Sequence, residues 1–196
     1  GVFKRTSLDY SLAGKARFSS KFSVDYSVYI SNVKNQPGWA SREISSAGEE
    51  VIYFSRRNVR NVENVLSLKY NFTNRMGFTM RTRHSWTKVD PREFYELDKF
   101  GDLQPLTTPY TKNVNQNFNF LRGDIVYNWQ VAQGSFYSIV WKDFGENFSR
   151  QFERDYATNL GKTIDGSHYN SLSLKVIYFL DYLTARQKLS KKKVAG

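Results

Sequence analysis

Long alternating strands in a short-turn, long-loop rhythm predict an all-β chain. The predicted fold is an antiparallel transmembrane β-barrel of the outer-membrane type, here the C-terminal part of a larger barrel. Three observations carry the prediction. Apolar and polar residues alternate over stretches of about a dozen residues or more, roughly twice the 5–6 of an ordinary strand. A tilted strand of about 9–11 residues crosses a bilayer. Aromatics make up 16% of the chain, with 13 Tyr, 15 Phe and 4 Trp, as interfacial aromatic girdles require. Finally, the sequence has no apolar run of the roughly eighteen residues a transmembrane helix needs. That excludes a membrane helix but not a barrel, whose strands are apolar only at alternate positions.

The centre of the pattern is residues 62–89, VENVLSLKYNFTNRMGFTMRTRHSWTKV. Leu66, Leu68, Tyr70 and Phe72 alternate with Val65, Ser67, Lys69 and Asn71, a turn falls at 73–75, and Met76, Phe78 and Met80 restart the alternation. Side chains on a strand point to opposite faces with period 2, so this hairpin has one apolar and one polar, basic face. Upstream, strands are expected at 2–12 and 16–31, joined by a turn at Ala13-Gly14-Lys15. A long polar loop, 32–58, carries Pro37 and a short candidate strand at 51–54. Downstream, a second long loop, 90–114, holds Pro91, Pro105 and Pro109; proline suits loops and is poor in central strands. Strands follow at 115–131 and 135–148 around a turn at Ala132-Gln133-Gly134. A third loop at 149–169, a last strand at 170–183 and a basic tail at 184–196 complete a single β-barrel segment.

Outer-membrane barrels have short periplasmic turns and longer extracellular loops. The turns at Gly14, Asn74 and Gly134 are therefore expected in the periplasm with the C-terminus, and the three long loops outside. Seven long strands are odd, whereas bacterial single-chain barrels have even numbers. Either 51–54 is an eighth strand or earlier strands precede this chain. The second is expected, because an eighth strand there breaks the rhythm.

The lipid-facing set predicted from alternation is Leu66, Leu68, Tyr70, Phe72, Phe78, Tyr127, Trp129, Ile139, Leu174, Val176, Tyr178 and Leu180. The lumen-facing charged set is Lys69, Arg81, Arg83, Arg122, Asp124, Lys142 and Lys175. With aligned neighbours, that set forms a mainly basic wall with one carboxylate. Such a wall either tunes selectivity for anions or is a charge network filling a closed barrel. Lipid exposure is the poor alternative for these groups, since a lipid-facing Arg costs about 2–4 kcal/mol at the midplane.

Other chemistry is hard to find. The chain has no Cys and two His, His84 and His168, so no disulfide, thiolate or His-rich metal site is expected. There is no GxSxG, Walker loop or GxGxxG after a strand. Catalytic, cofactor and metal sites are all expected to be absent. The net charge is +11, but the cations are spread over strands and loops, and the aromatics follow strand alternation. A nucleic-acid partner is not expected.

Three stretches, residues 62–89, GDIVYNWQVAQGSFYSIVWKD and NSLSLKVIYFLDYL, together resemble the C-terminal β-barrel of a Bacteroidota outer-membrane family. Its barrel is a domain of unknown function, usually preceded by a module similar to family-9 carbohydrate-binding domains. The match in order and spacing covers about 51–183; residues 2–31 fit only as generic strands. The resemblance implies a Gram-negative outer-membrane location and a longer parent protein, and it brings no catalytic residues. The expected function is a non-enzymatic barrel, a membrane platform or pore for a larger surface protein or complex. Its expected partners are outer-membrane lipid and lipopolysaccharide, other outer-membrane proteins and the missing N-terminal part of the same protein. The alternative is a membrane-anchored carbohydrate-binding or hydrolytic protein whose active module lies outside this chain. A soluble β-sandwich or lipocalin-like binder is a third reading, and it predicts purification without detergent.

Overall fold

A computed structural model describes residues 4–182. They form β1 (Thr6–Arg17), β2 (Phe22–Ile44), β3 (Glu50–Thr73), β4 (Met76–Leu97), β5 (Leu103–Pro105), β6 (Gln116–Ala132), β7 (Ser135–Ser149), α1 (Tyr156–Ile164) and β8 (His168–Ile177). The long strands pair antiparallel in the order β1-β2-β3-β4-β6-β7-β8, with β5 attached to β4. The all-β, antiparallel fold class holds. The sheet is not closed; β1 and β8 are its edges.

Among the described residues no second layer covers this sheet. Its buried apolar residues are Ala40, Val62, Trp86, Val89, Tyr95 and Val114, all at or above the middle of the sheet. Below them, large apolar side chains stand exposed, from Leu12 at 70% to Leu172 at 73%. A soluble sheet ordinarily buries one face against another element; this one leaves that face open over most of its width.

The three longest strands correct the sequence reading. Segment 32–58 is not a loop: β2 continues to Ile44, turns at 45–49 and returns as β3 from Glu50. The candidate strand at 51–54 is the beginning of β3, not an eighth strand. Likewise 90–114 is strand as far as Leu97, with β5 beyond it. The prolines misled because of where they sit. Pairing of β2 with β1 stops at Lys34, so Pro37 lies on a free edge, just past a bulge between Val33 and Gln36. Pairing of β4 with β6 stops at Val89, and Pro91 lies beside a bulge opposite Arg57. In both places the missing N–H faces no partner strand, the circumstance in which a sheet tolerates proline. Asn35, at φ 57°, is the left-handed residue of the first bulge.

Three further boundaries move. The turn expected at 13–15 lies inside β1, where Gly14 pairs with Tyr26. The reversal comes later, where Ser19 Oγ accepts from Lys21 N and Phe22 N at 3.1 and 3.0 Å. The expected loop 149–169 contains α1, capped by Asp155, whose carboxylate accepts from Thr158 N at 2.7 Å. The last strand ends at Ile177 rather than 183, because its final partner is Phe136 at the start of β7. There Phe179 N donates to Ser135 Oγ at 3.0 Å. Tyr178 and Leu180, 67% and 73% exposed, therefore lie past the strand. Residues 183–196, with the basic tail, fall outside the described residues, as do residues 1–3. The turns expected at Asn74 and Gly134 are present, Gly134 at φ 76°.

Candidate functional site: an apolar belt and a basic wall

Cross-strand partners share a face of the sheet, so the register assigns each residue a side. One row runs Tyr26, Leu66 and Thr82. Lower rows read Val24, Leu68, Met80, Ile125, Trp141, Leu172 and Phe22, Tyr70, Phe78, Tyr127, Ile139, Leu174. Trp129, Tyr137 and Val176 form the next row, and Leu8, Tyr10 and Leu12 extend the belt onto β1. Of the residues expected to face lipid, Leu66, Leu68, Tyr70, Phe78, Tyr127, Trp129, Ile139, Leu174 and Val176 lie on this face by register. Phe72 joins them through ring contacts with Tyr70 at 4.9 Å and Tyr127 at 6.4 Å.

The belt is large. On β2, Phe22 to Ile30 spans roughly 27 Å along the strand at about 3.4 Å per residue, the low end of the about 9–11 residues with which a tilted strand crosses a bilayer. Seven strands about 4.8 Å apart make it roughly 30 Å wide. Soluble monomers seldom expose more than a few hundred Å² of contiguous apolar surface.

All seven residues of the charged set share the opposite face. Arg81, Asp124 and Lys142 occupy one row, and Arg83, Arg122 and Phe144 the next. Lys69 and Lys175 lie nearer the short turns. The wall carries more carboxylate than expected: Glu63 pairs with Arg83 at 3.7 Å and Asp25 with Lys15 at 3.2 Å. It also carries aromatics. Phe118, Phe120, Phe144, Phe148 and Tyr169 form a chain of ring contacts at 4.2–6.4 Å, and the Arg122 guanidinium sits 5.6 Å from the Phe144 ring. Alternation places Phe118 and Phe120 on this side, but pattern alone does not reveal a track across three strands.

Above the belt, on the same face, a polar network holds α1. Tyr26 Oη donates to Asn64 Oδ1 at 2.5 Å, and Asn64 Nδ2 donates to Tyr156 Oη at 2.9 Å. Tyr156 Oη thus has its proton left for His84 Nδ1, 2.8 Å away. With Nδ1 accepting, neutral His84 carries its proton on Nε2, a buried atom without a hydrogen-bond partner among the described residues. The Oδ1 of Asn159 accepts from Asn117 Nδ2 at 3.1 Å and Asn119 Nδ2 at 2.9 Å, while Trp86 Nε1 donates to Asn117 Oδ1 at 2.6 Å. At the other end of the helix, His168 bridges Asp143, at 2.8 Å, and the Thr163 carbonyl, at 3.0 Å. Both imidazole nitrogens are engaged in fastening the helix. Period 2 puts His84 on the face of Met80 and Trp86, but no local signal gives its distant partners.

A third assembly sits beyond the belt on the wall side. Tyr110 stacks on Phe94 at 4.4 Å and meets Tyr53 at 5.2 Å. Its hydroxyl donates to Glu43 Oε1 at 2.7 Å, and Lys112 Nζ bonds Glu43 Oε2 at 2.6 Å. The hydrogen bonds from Lys112 and Tyr110 hold the Glu43 carboxyl below its usual range, and Glu43 raises Lys112 in return. These contacts lay the segment 106–112 over the same face as the basic wall.

Among the described residues, no group of His, Asp and Glu could hold a metal ion, and no helix is long and apolar enough to cross a membrane. Neither a curated protein nor a solved structure matches the chain. A family profile does match, over residues 3–189. The chain belongs to the family described as Domain of unknown function (DUF5916).

Proposed function

We propose that this sheet is a segment of an outer-membrane β-barrel, with the belt against lipid and the basic wall toward the lumen. One observation carries the reading. A belt of half-buried to exposed apolar and aromatic side chains crosses all seven long strands on one face, while the other face carries the charged set, interrupted by the ring track from Phe118 to Tyr169. A soluble sandwich would bury the belt against a second layer. The unpaired edges of β1 and β8 support a larger closed barrel, since open edges do not occur in the hydrocarbon region. The segment acts as a non-enzymatic membrane platform or pore for a larger surface protein of a Gram-negative bacterium. Lipid, lipopolysaccharide and neighbouring outer-membrane proteins are its partners, and a carbohydrate-binding module in the same parent protein fits this role.

Strands β2 to β4 run well past the belt, so the barrel carries a polar lip on its extracellular side, partly roofed by 106–112. The basic wall favours anions in the lumen. The test is fractionation of the parent protein in its native host. It is expected in the outer-membrane pellet, resistant to high salt and alkaline wash and released by detergent. Recovery in the soluble fraction without detergent would contradict the reading.

A further inference from the structure

Helix α1 has its amphipathic character the wrong way round for a helix in water. Its fully buried residues are polar: Asn159 and Thr163 are each at 0% exposure, and Tyr156 is tied to Asn64 and His84. Its apolar residues lie outside that stripe, with Ile164 53% exposed. At 3.6 residues per turn, Tyr156, Asn159 and Thr163 share one side. Leu160, Ile164 and Ala157 form the adjacent flank, and Thr158 and Lys162 the flank opposite. Ordinary surface helices do the reverse and turn the apolar stripe to the core.

The orientation on the sheet gives this inversion a meaning. The helix crosses the strands from Tyr156 over His84 of β4 to Thr163 beside His168 of β8. It lies on the belt face, just above the belt. A right-handed helix laid in that direction turns the Leu160–Ile164 flank down toward the belt. Lys162 points the other way, where its Nζ meets Glu153 Oε2 at 2.8 Å. Belt and helix are joined directly through Tyr26, whose ring is 45% exposed and whose hydroxyl starts the chain to Asn64 and Tyr156.

We propose that α1 is an interfacial helix: its Ala157–Leu160–Ile164 flank enters the boundary between headgroups and acyl chains, continuous with the belt, and fixes how deep the sheet sits. This rests on the membrane reading above. Interfacial helices place an apolar side some 5–10 Å into that boundary with charges on the polar side. Here the polar side is divided, one part bonded to the sheet and one part, at Lys162, turned to water.

The test uses the full-length parent protein in phosphatidylcholine/phosphatidylglycerol vesicles, with an NBD fluorophore on single cysteines. The substitutions are Leu160→Cys, Ile164→Cys, Lys162→Cys and, as a belt control, Leu68→Cys. Quenching is read with phosphatidylcholine spin-labelled near the headgroup or deep in the chain. At 160 and 164, at least twofold stronger quenching is expected from the shallow than from the deep spin label, with little from either at 162. Deep quenching is expected at 68. Strong quenching at 68 with none at 160 and 164 overturns the interfacial helix and leaves the membrane reading standing. Equal quenching at 162 and 164 overturns its orientation. Absence of quenching at 68 removes the membrane reading and the helix proposal with it. Two apolar positions are labelled, so the result does not depend on one variant folding.

Discussion

The lower and upper parts of β2, β3 and β4 are the same strands with two different side-chain patterns. Below about Val62 on β3, apolar residues alternate with polar ones, Asn64 and Val65 excepted, and the apolar face runs from half-buried Leu66 and Leu68 to exposed Tyr70 and Phe72. Above it, both faces are mixed: Phe54, Arg56 and Asn58 alternate with Tyr53, Ser55 and Arg57. The backbone pairing is continuous across the boundary. Alternation therefore reports a difference in what lies on the two sides of a sheet, not the sheet itself. Where both sides are wet, a strand carries no periodic signal, and its prolines and bulges read as loop.

Substitution of arginine on one strand breaks this comparison most sharply. Leu68→Arg is expected to cost about 2–4 kcal/mol of folding stability in a bilayer, whereas Ser67→Arg, one residue away on the wall, costs under about 1. Asn58→Arg, on the same face as Leu68 but above the belt, is expected to behave like Ser67→Arg. Urea unfolding titrations in lipid vesicles measure all three. Equal costs at 68 and 58 would erase the boundary.

Between the two regions lies the helix clamp. Asn159→Ala removes the acceptor of two buried amide donors, Asn117 Nδ2 and Asn119 Nδ2. Orphaned buried donors cost about 1–3 kcal/mol each. Hydrogen exchange at 156–164 is expected to accelerate strongly while the belt strands stay protected. Unchanged exchange would mean that the network does not hold the helix.

A smaller effect is expected at the lip. Because the Glu43 carboxyl is held below its unfolded value by Lys112 and Tyr110, its contribution is present at neutral pH. It is lost as pH falls through the lowered folded value. Exchange in 106–112 should rise on acidification, and Glu43→Gln should show the same rise already at neutral pH. A lip that loosens on alkalinisation alone would refute this assignment. Smallest of all, amine labelling of intact cells is expected to reach Lys99, at the exposed turn beyond β4, and to spare Lys21, at the short turn before β2. The reverse pattern would invert the topology.

Much of the lower half was legible in the sequence. The hairpin at 62–89, the turns at Asn74 and Gly134, and the sidedness of residues from Lys69 to Lys175 all follow from period 2. What was not legible has physical causes. Ser19 closes a turn through its hydroxyl without glycine, while Gly14 sits in a strand. Asp155 caps a helix too short to show a convincing 3.6-residue period, and one whose buried stripe is polar. The clamp joins Asn64, His84, the neighbouring pair Asn117 and Asn119, and Asn159, four places far apart in the chain.

The central claim is that alternate residues of β3 face lipid. This chain contains no cysteine, so nitroxide spin labels can be placed singly at 65 to 70 in the parent protein, with any cysteine outside this chain replaced, and the protein reconstituted in bilayers. Collision rates with oxygen and with a water-soluble nickel chelate are then compared. The account predicts a period of two, with oxygen favoured at 66, 68 and 70 and the chelate favoured at 65, 67 and 69. A flat profile, or chelate access at 66, 68 and 70, would contradict it.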